Sequence, residues 1–181
     1  MTNILVIDES RMPLDLDLAI RETLAICFQK DADYFSKQRG WHGSMPFYTV
    51  YMQDDDGKVV AHASVVDRTI RVGMTPLRIA GVQNVAVLPQ CRGTGMSERI
   101  MNEAVAEAFR RVFDGGLLFC FAKLVKVYEA CGWSIVENRR VIRIDENGNE
   151  VALPEGSLPM WHALLRVDLP DGDIHLQGND W

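Results

Sequence analysis

The chain has 181 residues, 48% of them hydrophobic and 24% charged, which suits one soluble domain with a core of its own. Its formal net charge of −6 argues against nucleic acid or an anionic membrane as partner and suits a cationic small molecule, although a mild negative charge also simply keeps a protein in solution. Cys27, Cys91, Cys120 and Cys131 show no Cys-x-x-Cys pair or zinc spacing, the segment from Met1 to Asp8 lacks the pattern of a signal peptide, and no apolar run reaches the roughly 18 residues of a membrane span; a cytoplasmic protein with reduced thiols and no metal is expected.

Asn3 to Asp8 is a short apolar run and reads as a strand. Pro13 opens a helix whose apolar stripe is Leu14, Leu18, Ile20, Leu24 and Cys27. A second short helix is expected over Asp31 to Arg39, stopped by Gly40. Phe47 to Gln53, Lys58 to Val72 and Leu77 to Val87 are rich in β-branched and aromatic residues, and turn signals at Asp54–Gly57 and Gly73–Pro76 divide them. They predict an antiparallel meander whose long middle strand is bent or bulged.

Pro89 ends the third of these strands. A loop from Gln90 to Gly95 follows, then a helix from about Thr94 to Phe113. Met96, Ile100, Met101, Ala104, Val105, Ala108, Phe109 and Val112 recur along it at helical spacing. Asp114-Gly115-Gly116 is read as its stop. Leu117 to Ala122 is apolar throughout and predicts a strand buried on both faces. A short helix over Lys123 to Ala130, strands over Ser134–Glu137, Val141–Ile144 and Trp161–Val167, and a hairpin turn at Glu146–Asn149 complete the pattern. Asp168 to Trp181 reads as a polar tail. No repeat or linker appears, so residues 1–181 are read as a single α/β domain.

The chemistry concentrates in the loop. A strand runs into glycines at 93 and 95, and the loop opens a helix. Glycine lets backbone approach a ligand closely, and the N–H groups of a helix start favour an anion. Arg92 adds a fixed positive charge, and Thr94 and Ser97 add hydroxyls. These parts suit a diphosphate. A tight strand-to-helix turn with incidental glycines is the other reading of the same residues. The order fits neither a Rossmann fingerprint nor a P-loop.

The stretch Val85-Ala86-Val87-Leu88-Pro89-Gln90-Cys91-Arg92-Gly93-Thr94-Gly95-Met96 resembles the acetyl-CoA motif of the GNAT superfamily, [Q/R]-x-x-G-x-[G/A] after a strand. Val127-Tyr128-Glu129-Ala130-Cys131-Gly132-Trp133 resembles that family's Y-x-x-x-G-[F/W] helix end. The flanking strand order fits from Phe47 to Val167. The resemblance implies an α/β (α+β) GNAT fold, a mixed, mostly antiparallel twisted sheet of about six to seven strands flanked by about four helices. It implies acetyl-CoA as co-substrate and no metal. Val85, Ala86 and Val87 would hold the pantetheine arm as an added strand does, and Gln90 with Arg92, Gly93, Thr94, Gly95, Met96 and Ser97 would hold the diphosphate.

The implied reaction is direct attack of a primary amine on the acyl thioester through a tetrahedral intermediate, with a backbone N–H near Val87 at the oxyanion. By the same resemblance Tyr128 is the acid for the leaving thiolate; packing beside the cofactor is its plainer role. Gln83 stands where the family often has a glutamate base, and an amide accepts no proton at neutral pH. It is left to position a water, or another group serves. His62 titrates in the right range, but in VVAHASVV it reads first as a core residue. Cys120 reads as inert core, and neither Cys91 nor Cys131 has a histidine partner in sequence.

Val60 to Arg68, with Arg71-Val72-Gly73 and Leu77-Arg78, resembles the aminoglycoside 2'-N-acetyltransferases, as does the ending Gly178-Asn179-Asp180-Trp181. In that group a terminal tryptophan and a nearby acid line the antibiotic site, so Asp180 and Trp181 are the implied acceptor contacts. A frayed tail capping an apolar patch is the alternative. The same segment resembles the nodulation acyltransferases, which keeps a longer-chain acyl transfer to an amino sugar in view; Gln83 keeps a non-catalytic acyl-CoA binder in view. The acceptor common to both groups is an amino sugar, and a homodimer is compatible with the sequence.

Overall fold

The computed structural model describes residues 3–181. Met1 and Thr2, where the segment read for a leader begins, lie outside them. Strand β1 (Asn3–Asp8) pairs antiparallel with β2 (Tyr48–Gln53), β2 with β3 (Val59–Val72), and β3 with β4 (Thr75–Val87). This is the expected meander. β4 then runs parallel to β5 (Gly115–Phe121), and β5 pairs antiparallel with β9 (Ser157–Ala163). The short β6 (Ser134–Ile135) edges β9. The far end of β3 pairs with β10 (Ile174–His175), which leads to β7 (Val141–Ile144) and β8 (Glu150–Ala152).

The sheet thus has ten strands among the described residues, more than the six or seven expected. Two of the additions have visible causes. Asp145 accepts from the N–H groups of Asn147 and Asn149, which closes the turn between β7 and β8. The tail is polar on average, yet Ile174 and Leu176 are fully buried and alternate with His175, so one side of that short stretch faces the core.

Helices lie on both faces. α3 (Met96–Arg110) and α4 (Val125–Glu129) cover one face, where Ile100, Met101, Ala104 and Tyr128 join Val65, Val82 and Leu118 in the largest core cluster. α1 (Leu14–Cys27) and α2 (Ala32–Phe35) cover the other, packing on Tyr51, Val59 and Ala86. Burying each large side chain in these clusters is worth about 1.5–3 kcal/mol. In α1 the buried residues are Leu16, Ile20, Thr23 and Leu24, while Leu14 and Leu18 are exposed. The stripe read from sequence was therefore rotated: Leu16, not Leu14 or Leu18, falls on the face shared by Ile20 and Leu24.

Gly115 and Gly116 do not stop α3; they are the first residues of β5. A Cβ on Gly115 would stand 2.0 Å from the Trp161 ring, and one on Gly116 would stand 2.8 Å from Trp133. The glycines make room for two indoles, one on each face of the strand. α3 ends earlier, with Arg111 as its C-cap and Val112 at φ 63°. β5 lies between β4 and β9, the interior position expected of an all-apolar strand.

Candidate functional site

The site begins where two strands part. β4 and β5 stay paired from Ile79–Gly115 to Val82–Leu118 and no further. β4 continues through Gln83–Val87 and β5 through Phe119–Phe121, leaving one backbone edge of β4 without a strand partner. On its other edge β4 keeps β3, but Ser64 pairs with Gln83 and His62 with Ala86, so β4 carries an extra residue there. Asn84 takes up the bulge at φ 54°. The bulge expected of the long β3 is present as well: opposite the Met52–Gln53 step of β2 it carries an extra residue, Val60.

Val87 leads through Leu88 and a 3₁₀ turn (Pro89–Cys91) into the glycine loop. Gly93 and Gly95 have φ of 76° and 78°, and no atom lies within 4 Å of where a Cβ would stand on either. The loop is tied from behind: Cys91 N–H donates to the Leu88 carbonyl, Thr94 Oγ1 donates to the Cys91 carbonyl at 2.6 Å, and Arg92 Nε donates to the Val87 carbonyl at 3.1 Å. The first helical bond of α3 is Arg99 N–H to the Gly95 carbonyl. The N–H groups of Gly93 through Glu98 have no partner among the described residues. A continuous row of open donors at the start of a 15-residue helix is the kind of geometry, reinforced by the helix dipole, that favours an anion.

Tyr128 comes from α4 and sits in the core beside the parting strands. Its hydroxyl bonds no described residue, and burial, with Cys120 and Cys131 nearby, raises its pKa well above the usual phenol value. It is a protonated donor at any working pH. Cys120 and Cys131 are buried and their thiols are pushed up by desolvation, so they are poor nucleophiles.

Gln83 lies past the last β4–β5 pair, on the face opposite α3. Its side chain is buried and engaged at both ends. Oε1 accepts from Trp41 N–H at 3.0 Å, and Nε2 donates to the Ser44 carbonyl at 2.7 Å. Asn84 Nδ2 adds a bond to the Arg39 carbonyl at 2.7 Å. Arg39 is itself buried against Glu9, Asp17 and Thr49. The loop between α2 and β2 is thereby clamped over the parting point.

The tail is not frayed. Trp181 is 5% exposed, lies against Gly81 and Phe119, and has the Arg68 guanidinium 5.1 Å from its ring centroid. Arg68 also donates to the Asn179 carbonyl and to Ser44 Oγ. The Asp180 side chain, 8% exposed, meets His42 Nδ1 at 2.8 Å and Arg143 at 3.5 Å. Asn179 Oδ1 accepts from Arg143 at 2.7 Å. Next to this cluster is an open cavity of about 340 Å³ lined by His42, Arg143, Asp145, Glu146, Asn147, Pro154 and Asn179.

His62 is fully buried on β3, with Nδ1 2.9 Å from the Asn84 carbonyl and Nε2 without a partner. Desolvation lowers its pKa to about 4. It is a neutral core histidine that braces the β4 bulge. His42 and Ser44 are not singled out from sequence, and Arg68 is read there only as part of a resembling segment. The signal at His42 was faint, a Trp41-His42-Gly43 turn, and its partner Asp180 lies 138 residues away.

An acetyltransferase (GNAT) domain family model matches residues 18–136. Among curated proteins, the chain is similar to an aminoglycoside 2'-N-acetyltransferase of Mycolicibacterium fortuitum, 30% identical over 130 residues. That match takes in 65% of this chain and 66% of the relative, just under two thirds of its length. Among solved structures, the chain is similar to the GNAT family N-acetyltransferase YhbS from Escherichia coli in complex with CoA, with a TM-score of 0.68 and 15% identity over 98% of this chain and 91% of that one. A GNAT family acetyltransferase from Brucella melitensis in complex with acetyl-CoA matches with a TM-score of 0.60 and 16% identity over 95% and 94% of the two chains. At such identities these two establish the fold. Motif, parted strands and family model agree that the chain belongs to the GNAT acetyltransferase family.

Proposed function

We propose that this protein is an acetyl-CoA-dependent N-acetyltransferase acting on a primary amine of a small cationic acceptor, an amino sugar or aminoglycoside in class. The observation that carries the reading is the row of open N–H donors from Gly93 to Glu98, placed directly after the unpaired edge of β4. Both glycines leave open space where a diphosphate would approach. Val85, Ala86 and Val87 offer the arm of the cofactor a strand edge, and Arg92, Thr94, Met96 and Ser97 frame the diphosphate, with Gln90 exposed at the rim. Acetyl-CoA supplies the activated acyl group.

Tyr128 then donates the proton that the leaving thiol needs, a role its place beside the parting strands and its unbonded hydroxyl suit. The amine enters from the face carrying Gln83, the clamped loop and the tail, opposite α3. Asp180 and Trp181 shape that entrance, and Asp145 and Glu146 at the cavity rim draw a cation toward it. The similarity to an aminoglycoside 2'-N-acetyltransferase supports the acceptor class. Residues 1–181 act as one catalytic unit in this reading.

The test is steady-state thiol release from acetyl-CoA across a panel of amines, with wild type and Tyr128→Phe. Turnover on amino sugars, reduced in the variant at unchanged acetyl-CoA affinity, is expected. Tight acetyl-CoA binding with no turnover on any amine would make the protein a binder only.

A further inference from the structure

Gln83 cannot take a proton, and both ends of its amide are already used. We propose that the general base of this enzyme is His42, oriented by Asp180, and that Gln83 is the clamp that holds its loop in place. The proposal rests on the N-acetyltransferase reading above.

Three observations carry it. The first is the pairing itself. His42 Nδ1 is 2.8 Å from Asp180 Oδ1, and a carboxylate there fixes the ring with its proton on Nδ1. Nε2 is then the basic nitrogen, and it has no partner among the described residues. This is the orienting arrangement of a carboxylate-backed histidine base. The second is position. His42 is 31% exposed and lines the cavity of about 340 Å³ beside the tail, while its neighbour Trp41 is tied by its N–H to Gln83 at the parting of β4 and β5. The third is conformation. His42 has φ 45°, a left-handed geometry uncommon for any residue but glycine, and the surrounding clamp maintains it.

The clamp explains the amide at 83. The loop presents an N–H from Trp41 and a carbonyl from Ser44 to the same side chain. Glutamine answers both at once. An ionised glutamate has no hydrogen for the carbonyl.

The acceptor ammonium gives one proton to His42 Nε2, which passes it to solvent in the open cavity. The freed lone pair adds to the thioester carbonyl and forms the C–N bond, and collapse of the tetrahedral intermediate breaks the C–S bond. Tyr128 protonates the thiolate, and the second nitrogen proton, lost as the amide forms, restores Tyr128 through solvent. The titratable and charged groups that face His42 are Asp180 from the tail, Arg143 from β7, Asp145 and Glu146 from the β7–β8 turn, and Tyr34 from α2.

The experiment measures kcat/KM against pH for the best amine, with wild type, His42→Gln, His42→Ala and Asp180→Asn. His42→Gln is expected to lose roughly 100-fold or more in kcat and the acidic limb of the profile, with acetyl-CoA affinity unchanged. Added imidazole should restore part of the activity of His42→Ala, in proportion to its neutral form; a merely structural histidine would give no such dependence. Asp180→Asn should fall between. Turnover by His42→Gln close to wild type, an acidic limb that persists in it, or no rescue of a folded His42→Ala would overturn the base assignment and leave the N-acetyltransferase reading standing. A wild-type protein that acetylates no amine would overturn both.

Discussion

Trp181 lies against Gly81 so closely that a Cβ on the glycine would stand 2.5 Å from Cε2 of the indole. Trp181 is thus keyed to β4 just before that strand parts from β5. Gly81→Ala should displace the indole and cost about 1–3 kcal/mol, read from the urea midpoint. The tail should also become more open to carboxypeptidase. Trp181→Phe in the same background should recover part of the loss, since the two changes share one contact. Additive effects would show that the contact carries no energy.

Gln83→Glu puts a carboxylate where the family often has one. It keeps an acceptor for Trp41 N–H and loses the donor to the Ser44 carbonyl. The expected cost is about 1–3 kcal/mol at neutral pH, shrinking as the pH falls and the new acid regains a hydrogen. Turnover should fall with the loosened loop. A variant as stable as wild type at pH 7 and more active would make Gln83 a damaged base and not a clamp.

His62 sets a pH dependence of stability. Its pKa is about 4 in the fold, against an ordinary 6.5. Between those values the unfolded chain binds a proton that the folded chain refuses, so stability rises with pH across the window. The contribution is complete above pH 6.5 and lost progressively toward pH 4, roughly 3 kcal/mol in all. His62→Asn retains a donor for the Asn84 carbonyl and removes the titration. The stability difference between wild type and variant should therefore move in the variant's favour as the pH falls from 6.5 to 4. Parallel curves would contradict the assignment.

Gly93→Val tests the anion cradle. At φ 76° a branched side chain is strained, which should cost about 1–2 kcal/mol of stability. The side chain also enters the open space in front of the donor row. Acetyl-CoA affinity, measured by calorimetry on protein still folded at the assay temperature, should fall by about tenfold or more. Unchanged affinity would place the diphosphate elsewhere.

What could be read from sequence follows from the range of the interactions. The glycine loop and the Tyr128–Trp133 helix end are legible as a turn and a helix end because their patterns lie within one turn and one helix. The meander was legible because Asp54–Gly57 and Gly73 punctuate it. The tail was not, since Trp181 finds its place through Gly81, Phe119 and Arg68, all distant in the chain. Gly115 and Gly116 read as a helix stop because nothing local announces that Trp161 and Trp133 need the space. His42 was invisible for the same reason, and Gln83 looked like a defect until the Trp41–Ser44 loop supplied its partners.

The most direct measurement is mass-spectrometric identification of the product formed from acetyl-CoA and an aminoglycoside, with the acetylated position located by fragmentation. The expected product carries a single acetyl group in amide linkage to an amino group, formed in step with released thiol. Release of thiol without an acetylated amine, or acetyl groups found only on hydroxyl oxygen, would contradict it.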